Sequence, residues 1–269
     1  MAMTWWRVLC VAAVVNAALW ALSAGSLVPD PEVGATRQAL LWLSALYVAG
    51  CAFRSALPMI DVPRYCMLDT PISRIFVGRS VATAAELAFV AQWALLMHEA
   101  GAVRAAIAVM VIILVAEILS WLAVLTRNDV FHAAENALWT VAAGFAAVFL
   151  ASRWSYEGEL GRRVILAAVG CAVVYIVFMT AYVVPMYLRR WQVGGSYLTL
   201  GEGLRQVLSR CKVEREWTQW RQDAAWLTPY FTLCVWMSVA LAHAPDLRNR
   251  DASSGVRRPG SDPLPQQPN

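Results

Sequence analysis

Residues 105–126 read "AAIAVMVIILVAEILSWLAVLT" and contain a single charged side chain, Glu117. A helix needs about 20 mostly apolar residues to cross the hydrocarbon core of a bilayer. This stretch is therefore predicted to be a transmembrane helix. A lone charge near the middle of such a helix is costly unless it faces other protein groups, so Glu117 predicts polar partners on neighbouring helices.

Six further stretches have the same apolar character, near residues 8–28, 38–57, 81–97, 130–151, 164–188 and 224–243. The whole chain is 59% hydrophobic and 15% charged, whereas soluble domains are about 25% charged. We therefore predict an all-α, multi-pass membrane bundle of seven transmembrane helices, forming one domain over residues 1–245. The polar, proline-rich segment 246–269 is predicted to be a disordered tail.

The distribution of Lys and Arg between the loops predicts the orientation of the chain. One side of the membrane holds the N-terminus and the loops 54–80, 127–129 and 189–223, with 13 Lys and Arg residues, against 9 on the other side. This excess favours a cytoplasmic N-terminus and an extracytoplasmic C-terminus, and we expect a bacterial inner membrane. The first stretch also resembles a signal peptide, because Arg7 precedes its apolar run, but its length favours a span.

Two loops have sequence patterns of their own. In 54–80, Asp61 and Thr70 each precede a proline that suits a first helical turn, so this loop is predicted to hold short helices that are re-entrant or interfacial. In 198–220, apolar residues at helical spacing alternate with basic residues. That pattern predicts an amphipathic interfacial helix bound to anionic lipid head groups.

The fifth stretch contains "HAAENALW" at 132–139, an unusually polar sequence for a span. Residues three and four apart lie on one face of a helix. Counted at about 1.5 Å per residue, the acids of three spans and a tyrosine of the sixth fall at one depth, beneath the 54–80 loop. We therefore predict a buried pocket formed by Glu86, Glu117, His132, Glu135, Asn136 and Tyr182.

Three functions fit such a pocket. Binding and transport of a small anionic or amphiphilic molecule is the first, with Arg64, Arg74 and Arg79 as anion contacts at the pocket mouth. The second is a membrane-embedded enzyme in which His132 and Glu135 act as an acid–base pair on a lipid-soluble substrate. The third is a seven-helix sensor or receptor. Arg–Glu pairs that only lock helices together are the structural alternative to all three.

Several cofactors and partners are disfavoured by composition. A retinal protein needs a lysine within a span, and the only lysine, Lys212, is in a loop. The H-x-x-E spacing of His132 and Glu135 suits a metal, but His98 and His243 lie on the other side of the membrane, so no cofactor is expected. A net charge of +4 is too small to predict nucleic-acid binding. The six cysteines form no C-x-x-C pair and are interpreted as small apolar residues.

Overall fold

The structure is a computed structural model that describes residues 1–27, 34–153, 159–209 and 211–244. Within these residues, seven helical stretches are long and apolar enough to cross a membrane: Ala2–Ser26, Ala35–Ala56, Ile75–Glu99, Val103–Thr126, Asp129–Ser152, Ile165–Val193 and Trp217–Ala242. The predicted all-α, seven-span bundle is confirmed. The predicted tail, 246–269, lies outside the described residues.

The helices follow the predicted stretches within a few residues at most ends, with larger shifts at the starts of the first, third and seventh and at both ends of the sixth. They are α1 (Ala2–Leu27), α2 (Ala35–Ala56), α3 (Ile75–Glu99), α4 (Val103–Thr126) and α5 (Asp129–Ser152). The sixth span consists of α6 (Glu159–Phe178), a π-helical turn (Met179–Val183) and α7 (Val184–Val193). The short helix α8 (Leu200–Leu208) precedes the seventh span, which consists of α9 (Trp217–Tyr230) and α10 (Leu233–Ala242).

Consecutive spans pack side by side from α1 to α7, and α10 closes the bundle against α2 and α3. One apolar cluster joins α3, α4 and α5 through residues such as Met97 and Ile113, and another joins α1, α2 and the seventh span around Tyr47. Large aliphatic side chains such as Ile118 and Val174 point outward and are exposed. A surface of this kind is expected of a bundle embedded in lipid.

A buried polar clamp fixes α10 to α2 and α3. The Gln92 side-chain amide donates to the carbonyl oxygens of Leu40 and Ser238, both at 3.1 Å. In return, Ser238 Oγ donates to Gln92 Oε1 at 2.6 Å, and it lies 3.2 Å from Ser44 Oγ. Because Gln92, Ser44 and Ser238 are fully buried, these bonds satisfy polar groups that have no access to water.

The face of the bundle that carries the N-terminus, called the N-terminal face below, is covered by a small sheet. Strand β1 (Met59–Ile60) pairs antiparallel with β2 (Tyr65–Cys66), which pairs parallel with β3 (Lys212–Val213). The Cys66–Cys211 disulfide joins the same two segments across 145 residues of sequence.

This sheet corrects two predictions. The prediction of short helices in 54–80 is wrong, because Met59–Ile60 and Tyr65–Cys66 form two strands joined by a turn, and the second strand pairs with the distant β3. Cys66 and Cys211 are not apolar fillers, because they form a disulfide; Cys10, Cys51, Cys171 and Cys234 are free.

The amphipathic helix is shorter than predicted. Helix α8 covers only Leu200–Leu208 and begins with a capping box between Thr199 and Glu202. Strand β3 (Lys212–Val213) lies a short distance beyond it, and Trp217 already starts the seventh span. Gly203 and Val207 are buried, and a Cβ on Gly203 would lie 2.0 Å from the Leu125 carbonyl oxygen of α4. The glycine therefore allows α8 to lie directly against the end of α4.

The seventh span is interrupted near its middle. Pro229 lies in the last turn of α9, and Phe231 and Thr232 separate α9 from α10. Asn16 of α1 is buried, and its side-chain amide donates to the Phe231 carbonyl oxygen at 3.0 Å. A carbonyl freed by the break is thus satisfied by a side chain of another span.

Candidate functional site

Arg79 is the centre of the buried polar site. It lies in the second turn of α3 and is only 6% exposed. Its Nη2 atom is 2.7 Å from Glu117 Oε2, 3.0 Å from Glu86 Oε2 and 3.9 Å from Glu135 Oε1. Its Nη1 atom is 3.9 Å from Asp61 Oδ2. These residues, together with His132, are called the Arg79 cluster below.

The local sequence of α3 explains why the guanidinium and an acid meet. Arg79, Thr83 and Glu86 are four and three residues apart, so they lie along one face of the helix. Glu117 of α4 packs against that face, where Thr83 Oγ1 donates to Glu117 Oε2 at 2.6 Å. Trp121, one turn further along α4, donates its indole N–H to Thr83 Oγ1 at 3.2 Å. The two helices are therefore joined by a continuous chain of hydrogen bonds.

Further side chains complete the cluster from α5, α7 and α9. His132 Nδ1 is 2.7 Å from Glu135 Oε2, and the Tyr187 ring packs on the imidazole with centroids 5.0 Å apart. From the seventh span, the Tyr230 hydroxyl donates to Glu86 Oε1 at 2.9 Å. The cluster and the two tyrosines that contact it thus come from five spans of the bundle.

The cluster has more acids than bases. Four carboxyl groups surround one guanidinium, and a net charge buried in a membrane protein is costly. The cluster therefore holds an excess of acidic groups in a buried position.

The structure brings together most of the predicted pocket residues. Glu86, Glu117, His132 and Glu135 belong to the Arg79 cluster. Asn136 lies beside it, but its amide donates to the His132 carbonyl oxygen of its own helix at 2.7 Å. Tyr182 does not belong to the cluster: it is 44% exposed and stacks on Phe178. It lies in the π-helical turn, where the α-helical period used to place it does not apply.

The three predicted anion contacts lie in different environments. Arg79 is engaged by carboxylates. Arg64 donates from Nη2 to the Val124 carbonyl oxygen at 3.0 Å and from Nη1 to Gln206 Oε1. Burial, and then the charge of Arg127, lowers the pKa of Arg64. Of the three, only Arg74, immediately before α3, is exposed at the N-terminal face.

Three participants were not among the predicted pocket residues. Asp61 was assigned to a helix cap, and instead reaches Arg79 from the turn between β1 and β2. Tyr230 and Tyr187 lie within apolar spans, and the pattern of apolar residues alone does not distinguish them from residues that only pack. Tyr230 follows Pro229 directly in the sequence, and a proline within a span was the one signal near it.

Neither a metal site nor a large cavity is found at the cluster. Among the described residues, no three His, Cys, Asp or Glu side chains are arranged to hold a metal ion, and the space between the carboxylates contains the Arg79 guanidinium. A narrow crevice, too small to hold a water molecule, lies elsewhere between α1, α2 and α10 and is lined by Asn16, Cys51, Ser55 and Phe231, among others. In comparisons with known proteins, no family model, no curated protein and no solved structure matches the chain.

Proposed function

We propose that this multi-pass membrane protein is a proton-coupled transporter of a small anionic or amphiphilic molecule, acting in a bacterial inner membrane. The observation that supports the proposal is a single buried guanidinium shared by four carboxyl groups from four different elements. Buried ionisable residues within spans are characteristic of proton and ion pathways. A purely structural clamp requires one acid for one arginine, and this site has three acids in excess.

The coupling follows from competition for Arg79. While Glu86 and Glu117 are ionised, they occupy Nη2 and exclude an anion from it. A protonated carboxyl group no longer carries the charge that holds the guanidinium. Protonation therefore frees Arg79 to bind an anionic group of the substrate, and loss of the protons displaces that group again. Protons and anion move together in this scheme.

His132 and Glu135 supply a route for the protons. Their side chains are hydrogen-bonded at 2.7 Å, and Glu135 Oε1 is 3.9 Å from Arg79 Nη2. An imidazole can accept a proton at one ring nitrogen and release it from the other. In the proposed cycle His132 passes a proton to Glu135, next to the acids that bind Arg79.

The N-terminal face provides the entrance. Asp61, in the turn of the hairpin, links the surface to Arg79, and the exposed Arg74 offers a first contact for an anion. Leu200, Leu204 and Leu208 form an exposed stripe at a spacing of four residues on α8. We propose that this stripe lies among the lipids, with Arg205 near anionic head groups.

Flux measurements in liposomes test the proposal. Purified protein is reconstituted with a pH-sensitive dye inside, and a gradient of phosphate, a short carboxylic acid or a medium-chain fatty acid is imposed. We expect acidification of the lumen with at least one of these anions, and at least a tenfold loss of that signal in Glu117→Gln. Glu159→Gln is the matched control, because Glu159 forms an exposed ion pair with Arg163 on α6. Dye signals equal to those of empty liposomes for all three anions would contradict transport.

A membrane-embedded enzyme is the second candidate, favoured by the short contact between His132 and Glu135. The pair has the separation expected of an acid–base dyad. Incubation of the protein with a total lipid extract, followed by mass spectrometry, should then give a product that disappears in His132→Gln. No new mass in that extract, together with anion flux in liposomes, would favour the transporter.

A further inference from the structure

The Cys66–Cys211 disulfide indicates which compartment the N-terminal face meets. The bond joins β2 to the residue before β3, with Cα atoms 5.9 Å apart. Hydrogen bonds flank it on both sides: Lys212 N donates to the Arg64 carbonyl oxygen at 3.1 Å, and Glu214 N donates to that of Cys66 at 3.0 Å. The two cysteines are therefore held together by the sheet as well as by the bond.

The distribution of the other cysteines makes this pair distinctive. Cys10, Cys51, Cys171 and Cys234 are free and all lie within spans. Cys66 and Cys211 are the two cysteines of the chain that lie outside the spans, and they are bonded to each other. Disulfides persist in oxidising compartments such as the periplasm and are rare in the cytosol. The bond therefore favours an extracytoplasmic position for the N-terminal face.

The structure also removes the charge bias that favoured the opposite orientation. Three of the 13 basic residues counted on the N-terminal side, Arg54, Arg64 and Arg79, are buried. Arg54 donates to the Gly78 and Met59 carbonyl oxygens at 3.1 and 3.3 Å, and the other two are bound as described above. Without these three, the basic residues number 10 and 9 on the two sides, so loop charge no longer distinguishes them.

We infer that the N-terminal face is extracytoplasmic, so that the N-terminus lies outside and the Arg79 cluster lies in the half of the bundle nearer the oxidising compartment. This orientation is the reverse of the one predicted from loop charge. It does not depend on what the cluster does. If the proposed transport function holds, protons and anion enter the cluster from outside, and the transporter works as an importer driven by an inward proton gradient.

Thiol labelling of the full chain in intact bacterial cells tests the orientation. Arg74→Cys places a thiol at an exposed position of the N-terminal face, and Arg104→Cys is the matched control at an exposed position of the opposite face. A membrane-impermeant maleimide should label Arg74→Cys in intact cells and Arg104→Cys only after lysis. Wild-type protein gives the background from the native thiols. The opposite pattern, or labelling of Arg104→Cys in intact cells, would overturn the inference.

A second measurement uses the wild-type chain and so does not depend on the folding of a variant. Cells are quenched in acid, and thiols are alkylated under denaturing conditions with and without a reducing dithiol. We expect the peptides that contain Cys66 and Cys211 to be alkylated only after reduction. Free thiols at both positions without reductant would remove the basis of the inference. Neither measurement requires flux, so failure of the orientation is distinguishable from failure of the transport proposal.

Discussion

Replacing Glu117 and Glu135 in turn by glutamine measures how strongly Arg79 holds each acid. Glutamine keeps the shape of the side chain and removes its charge, so both substitutions preserve the packing. Glu117 Oε2 lies 2.7 Å from Arg79 Nη2, whereas Glu135 Oε1 lies 3.9 Å from the same nitrogen. The first is a hydrogen bond and the second is beyond hydrogen-bonding distance. The two acids should therefore differ in their coupling to Arg79, although both are buried.

The magnitude follows from the contacts. A hydrogen bond to a charged group contributes about 1.5–3 kcal/mol, and charge assistance accounts for roughly half of its strength. Glu117 accepts one such bond from Arg79 and another from Thr83 Oγ1 at 2.6 Å. We expect Glu117→Gln to lower the free energy of unfolding by about 2 kcal/mol, and Arg79→Met by about 3–5 kcal/mol, because it leaves buried acids without their cation.

Double-mutant cycles isolate the pairwise coupling between two side chains. Each single variant and each double variant is unfolded by SDS in mixed micelles, with the loss of helix followed by far-UV circular dichroism. The Arg79–Glu117 coupling should be about 2 kcal/mol, and the Arg79–Glu135 coupling should be below about 1 kcal/mol. Equal couplings for the two acids, or no coupling for Glu117, would refute the described geometry of the cluster.

Three further predictions concern the free energy of unfolding, measured as above. Tyr230→Phe removes the donor to an acid of α3 and should lower the free energy of unfolding by about 1–2 kcal/mol, whereas Tyr182→Phe, at an exposed site, should change it by less than about 0.5 kcal/mol. Gly203→Ala places a Cβ 2.0 Å from a carbonyl oxygen of α4 and should cost about 1–3 kcal/mol, with faster proteolysis around α8; Gly201→Ala, where nothing lies within 4 Å, should do neither. Burial, and then a neighbouring arginine, lowers the pKa of His243 below its usual 6.5, so the unfolded chain binds the proton more readily. The free energy of unfolding should therefore fall as the pH decreases below about 6.5, and the slope should be smaller in His243→Gln.

The sequence was sufficient to predict the spans and the convergence of the acids. A run of about 20 apolar residues leaves little choice of structure in lipid. The helical period then assigns Glu86, Glu117 and Glu135 to defined faces, and their distance from the loops assigns them to one depth. What fills the space between them was not predicted. Arg79 was placed at the mouth of a pocket, yet its long side chain runs along α3 and occupies the centre.

The features that escaped prediction depend on partners far away in the sequence. The pairing of β2 with β3, and the disulfide beside it, connect segments 145 residues apart. Nothing local in either segment indicates the other. Tyr182 was misplaced because a π-helical turn changes the number of residues per turn, and no pattern in "MTAYV" (179–183) indicates that turn.

The interruption between α9 and α10 divides the seventh span into two separate helices. The last residue of α9, Tyr230, donates a hydrogen bond from its hydroxyl to Glu86. The carbonyl oxygen of the next residue, Phe231, accepts a hydrogen bond from Asn16. A change of charge on Glu86 thus acts on a side chain that adjoins the break between α9 and α10. The Gln92 clamp holds α10 against α2 and α3, so α9 is the half of the span on which the charge of Glu86 acts.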